Sequence, residues 1–86
     1  MIVYIWKEEV QLLVTQKEWQ ERFGNNLDRR IRMSNITKKE FADKLNIDNV
    51  QLSRYINGHV MPTAYTLYKM TKLLNCTMDE LLADTT

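Results

Sequence analysis

The sequence predicts a mainly α-helical fold, five helices around one core behind a short N-terminal extension, and three observations predict it. Two Gly and one Pro among 86 residues leave little for a loop-rich framework, so the order must come from helices. Apolar residues recur at helical spacing through the chain beyond Thr15. Four times a Thr or Asp stands three residues before a Glu or Gln at the head of such a stretch: Thr15/Glu18, Thr37/Glu40, Asp48/Gln51 and Thr77/Glu80. In this pattern the first side chain accepts from an orphan amide of the opening turn, and the second reaches back to the cap residue's own amide.

The first helix starts after Thr15, with Val14 and Trp19 placed as a hydrophobic staple, and continues through Phe23, Leu27, Arg30, Ile31 and Ser34. Gly24 is a point where it can break, leaving a short lead-in and a main helix from about Asn25 to Met33. The second helix, Lys38 to Leu45, puts Phe41, Ala42 and Leu45 on one face and is capped by Asn46, which tolerates the left-handed conformation. A third helix from Asn49 to about Ile56 follows so closely that the pair forms a tight helical corner. Its inward positions are Leu52, Tyr55 and Ile56, leaving Asn49, Val50, Ser53, Arg54 and Asn57 outward. Gly58 ends it, Pro62 follows, and Thr63 caps a fourth helix with Leu67, Met70, Leu73 and Leu74 inward. A last helix, Met78 to Ala83, adds Met78, Leu81 and Leu82.

Residues 1–15 form the extension and residues 16–86 the domain. Ile2 to Trp6 is β-branched or aromatic, Lys7, Glu8 and Glu9 are polar, and Val10 to Val14 is again apolar-rich, which predicts a β-hairpin, with a helix as second choice. Both hairpin faces would be apolar, Val3 and Ile5 on one and Ile2, Tyr4 and Trp6 on the other, so a partner must cover one. A second copy is the cheapest partner. The extension is therefore expected to be a homodimerisation arm, with Ile2, Tyr4, Trp6, Val10 and Leu12 as its contact residues.

Composition narrows the function. At 44% hydrophobic and 27% charged the chain reads as a soluble globular domain. Cys76 has no cysteine to pair with, which suits a reducing cytoplasm, and it reads as a small core hydrophobe. The apolar start, Met1 to Trp6, has no preceding basic region and is too short for a membrane span, so neither a signal peptide nor an anchor is expected. His59 stands alone without metal-ligand spacing, and there is no Ser-His-Asp set or Gly-rich phosphate loop, so neither enzyme chemistry, nor a metal, nor a cofactor is expected. Net charge is only +1, but from Arg22 to Val60 eight basic residues face four acidic ones, a local excess of +4. Such a central basic zone is the footprint of a phosphate-facing surface, or equally a solvated basic face.

The stretch Ile36 to Pro62, ITKKEFADKLNIDNVQLSRYINGHVMP, resembles the helix-turn-helix of the Cro and lambda-repressor-like family, and TAYTLYKMTKLLNCTMDEL resembles that family's fourth and fifth helices. The likeness spans roughly residues 25–83 and rests on Phe41-Ala42, Ile47, Leu52-Ser53, Gly58, Pro62 and the closing Leu74, Asp79, Glu80 and Leu81 at their joint spacing. It implies a five-helix, lambda-repressor-like DNA-binding domain and a transcriptional regulator, a repressor that binds double-stranded DNA as a dimer. By the same resemblance Asn49, Val50 and Arg54 contact bases, while Lys38, Ser53, Asn57 and His59 touch the DNA backbone or buttress the recognition helix; Lys39, Gln51 and Arg30 are expected as further backbone contacts. Three positions depart from the family: Lys38 stands for Gln, Asn46 for Gly, and Ile56 for a Glu that pairs with an Arg of the first helix, which leaves Arg30 without that partner. The rival reading is an interaction protein, an antitoxin or anti-repressor that binds a regulatory protein partner through the same fold.

Overall fold

A computed structural model describes residues 15–83 as five helices: α1 (Gln16–Met33), α2 (Lys38–Leu45), α3 (Asn49–Ile56), α4 (Ala64–Leu74) and α5 (Met78–Leu82). Each begins at a side-chain cap. Thr37 and Thr77 form complete capping boxes with Glu40 and Glu80, whereas Thr15 and Asp48 accept from the amides of Glu18 and Gln51. Thr63 caps α4 in the same way, through the amide of Thr66 at 3.3 Å. The helix ends are equally local. Asn46 and Asn75 adopt left-handed backbone with φ of 59° and 52°, and Gly58 does so at 76°. After α2, the Ile47 amide donates to the Ala42 carbonyl at 3.0 Å and the Asn46 amide to Asp43 at 3.1 Å, the bonding that turns the chain sharply toward α3.

The core is built from Phe23, Leu27 and Ile31 of α1, Phe41 of α2, Leu52 of α3 and Leu81 of α5, none more than 2% exposed, with Met70 of α4 completing it. Burying a side chain of this size is worth about 1.5–3 kcal/mol, enough for one contiguous cluster to hold five short helices that would be marginal in isolation. α1 packs on α3 and α5, α2 on α3 and α4, and α4 on α5, so the α2–α3 corner is clamped from two sides.

α1 does not break at Gly24; it is continuous from Gln16 to Met33. The glycine has a packing role instead. A Cβ there would meet the Ile56 carbonyl oxygen well inside contact distance and the Tyr55 carbonyl oxygen at 2.7 Å, so only a glycine lets the end of α3 lie directly on α1. Gly58 meets α1 similarly, where a Cβ would stand 2.8 Å from Glu21 Cα. Gln20, buried beside it, donates from Nε2 to the Gly58 carbonyl at 3.2 Å.

A second polar tie joins α1 to the last helix. Asn26 is fully buried and donates from Nδ2 to the carbonyls of Leu81 at 2.9 Å and Ala83 at 2.8 Å, satisfying acceptors left open at the C-terminal end of α5. That helix ends at Leu82 rather than Ala83, and Met78, expected inward, is 38% exposed, leaving Leu81 as its buried anchor. Cys76 is half-buried against the core, and burial pushes its thiol pKa up despite the opposing pull of the Arg30 guanidinium. The expected hairpin, the Val14 half of the staple and the arm residues Ile2, Tyr4, Trp6, Val10 and Leu12 lie outside the described residues. No described helix is long and apolar enough to cross a membrane.

Candidate nucleic-acid interface

The α2–α3 corner turns one face of α3 to the core and the other to solvent. Leu52 and Tyr55 are buried and Ile56 is half-buried against them, the inward stripe expected at i, i+3 and i+4. Asn49, Val50, Ser53, Arg54 and Asn57 are all exposed on the opposite side, with Val50 at 62% although it is a branched aliphatic residue. A solvent-facing helix of this length gains nothing by exposing a valine. The face carries no acid, and Arg54 is its cation, without a hydrogen-bond or ion-pair partner for its guanidinium among the described residues. Asn57 Nδ2 donates to Ser53 Oγ at 3.1 Å, which orients both groups one turn apart.

Beside this face opens a cleft of about 300 Å³ between the start of α2 and the flank of α3, lined by Lys38, Lys39, Asn49, Ser53 and Asn57 over a floor of Leu52 and Ile56. Two ammonium groups, two carboxamides and a hydroxyl therefore border one concavity, beside the N-terminal end of α2, where the capping box satisfies the Thr37 and Glu40 amides. Its rim is a donor-rich, cationic surface suited to an anion. Gln51 is half-buried, and its amide is spent on Asp48 Oδ1 at 2.7 Å. His59 is exposed just past α3, its amide donating to the Arg54 carbonyl at 2.9 Å.

The structure thus gathers Asn49, Val50, Ser53, Arg54 and Asn57 on one helix face and brings Lys38 and Lys39 alongside. Arg30 stands apart from that group. Its Nη2 donates to Glu80 Oε2 at 2.7 Å, so an acid of α5 takes the place of the missing Glu at Ile56. The sequence reading missed Asp28. From α1 this carboxylate reaches Arg32 at 3.1 Å and Lys38 at 3.2 Å. The i, i+4 spacing to Arg32 is a readable signal, but the approach of Lys38 depends on how α2 packs and leaves no trace in local sequence.

Comparison with known proteins agrees with this geometry. The family model described as helix-turn-helix matches residues 28–81, from the last turns of α1 to α5, well over half of the chain. The chain is also 39% identical over 59 residues to the HTH-type transcriptional regulator ImmR of Bacillus subtilis (strain 168), an alignment covering 69% of this chain and 46% of that protein. It therefore spans about half the length of the curated relative that it matches. No solved structure matches it significantly.

Proposed function

The chain belongs to the helix-turn-helix family, of the Cro and lambda-repressor-like type, and from that premise we propose that it is a DNA-binding transcriptional regulator, a repressor that seats the outer face of α3 in the major groove and works as a dimer. The single observation that carries the reading is the exposure, on one face of α3, of Asn49, Val50 and Arg54 with no acid among them. Each suits a base edge. The Arg54 guanidinium donates two hydrogen bonds to guanine O6 and N7, the Asn49 carboxamide pairs with adenine N6 and N7, and Val50 packs on a thymine methyl. An exposed valine then has a purpose that solvent does not give it.

The neighbouring cleft supplies the sequence-independent part. Lys38, Lys39, Ser53 and Asn57 border it, and phosphate on this rim fixes the register of α3 without reading sequence. Gln51 and His59 flank the same surface from either end of α3. Arg30, already paired with Glu80, contributes to DNA only if that pair opens. Lys38 keeps the phosphate contact even though it stands where the family has Gln.

Selection of bound sites from a random DNA pool tests the reading. The expected product is a palindrome whose half-sites lie one helical turn apart, about 34–36 Å, or a multiple of it. Recovery of a single unrepeated site would remove the dimer, and recovery of no preferred sequence would remove base reading by α3. If the chain selects no DNA but co-purifies with one protein partner in fixed ratio, the antitoxin or anti-repressor reading takes its place.

A further inference from the structure

Asp28 lies on α1, directly behind the start of α2. Its Oδ2 holds the Arg32 guanidinium at 3.1 Å, and its Oδ1 has the Lys38 ammonium at 3.2 Å. Oδ1 is shielded from solvent and has no hydrogen-bond partner, and the Lys38 ammonium is within ion-pair reach of it. Lys38 is the first residue of α2 and borders the cleft beside α3. The carboxylate is 23% exposed while Lys38 is 57% exposed, so the lysine is open to solvent on the side away from its counter-ion.

We propose that Asp28 is a positioning residue for DNA binding, which competes with phosphate for Lys38 and thereby lowers affinity for any duplex without touching DNA. The inference rests on the DNA-binding reading above. One carboxylate shared by two cations leaves the cluster a net charge of +1, and removing it leaves +2. A phosphate approaching the cleft must draw Lys38 away from a carboxylate already within 3.2 Å. Pairs that remain partly solvated are weak, so the lysine is restrained rather than withheld. Because the carboxylate is largely shielded, bulk salt screens this restraint less than it screens the attraction to DNA. The restraint acts on a phosphate contact common to every duplex, so it lowers specific and non-specific affinity by a similar factor.

The test titrates salt against the affinity of the full chain for a random-sequence duplex and for a selected site. Asp28→Asn should bind the random duplex about three- to tenfold more tightly at fixed salt, with a log–log salt slope steeper by about one unit. Asp28→Glu, which restores the charge, should return the slope to the wild-type value. In a Lys38→Met background the gain from Asp28→Asn should shrink, since the coupling runs through Lys38. A wild-type slope in Asp28→Asn, or an undiminished gain in the Lys38→Met background, would overturn the proposal while leaving the DNA reading intact. A wild-type chain that binds neither duplex would bring down both.

Discussion

Gly24 lies against the carbonyl oxygens of Tyr55 and Ile56, so the middle of α1 forms the seat on which the end of α3 rests. Alanine favours a helix interior over glycine by about 1 kcal/mol, and on local grounds Gly24→Ala should stabilise α1. Here the added methyl collides with backbone that cannot rotate away. Gly24→Ala is therefore expected to destabilise the domain by about 1–3 kcal/mol, the usual range for overpacking, as read from the urea midpoint. A neutral or stabilising result would mean that the two helices separate at little cost.

The Asn26 carboxamide closes the C-terminal end of α5 by donating to two carbonyls from a fully buried position. Asn26→Ala removes both donors, and each neutral hydrogen bond lost from a buried site costs about 1–3 kcal/mol once its partner is left unsatisfied. Asn26→Asp should be at least as damaging, because a carboxylate only accepts and would face two acceptors. Hydrogen exchange should show α5 amides losing protection before those of α2, and uniform loss would argue that Asn26 does not act through α5.

Glu80 links the cap of α5 to α1. It accepts from the Thr77 amide at 3.0 Å and from Arg30 at 2.7 Å, and the Thr77 amide first, then Arg30, hold its carboxyl below the ordinary carboxylate range. A folded-state value below the unfolded one means that the contribution is complete above the ordinary value of about 4.3 and is lost as pH falls through the lowered one. Glu80→Gln should therefore be less stable than wild type at neutral pH, with the gap closing on acidification. Urea midpoints at both ends of that range check this, and a constant gap would assign the difference to packing.

Much of this was legible in sequence because it is local. Thr15, Thr37, Asp48 and Thr77 each cap the helix that the Glu or Gln three residues on predicts, since a cap needs only its own turn. Asn46 was readable for the same reason, and the inward stripe of Leu52, Tyr55 and Ile56 followed from periodicity alone. Gly24, Asn26 and Asp28 were not. Their partners are Tyr55 and Ile56, Leu81 and Ala83, and Lys38, all distant in sequence and outside α1, so their roles exist only once α1 is packed. A glycine inside a helical pattern reads as a weak point until the neighbouring backbone is seen.

The most direct measurement of the central claim compares Arg54→Ala and Lys38→Ala on the selected site, on its single-base variants and on random duplex, each across a range of salt. Arg54→Ala should relax discrimination at one base pair by about 1–3 kcal/mol. Lys38→Ala should weaken every duplex by a similar factor and flatten the salt slope by up to about one unit. Equal losses on selected and random DNA for both variants would contradict the reading of bases by α3.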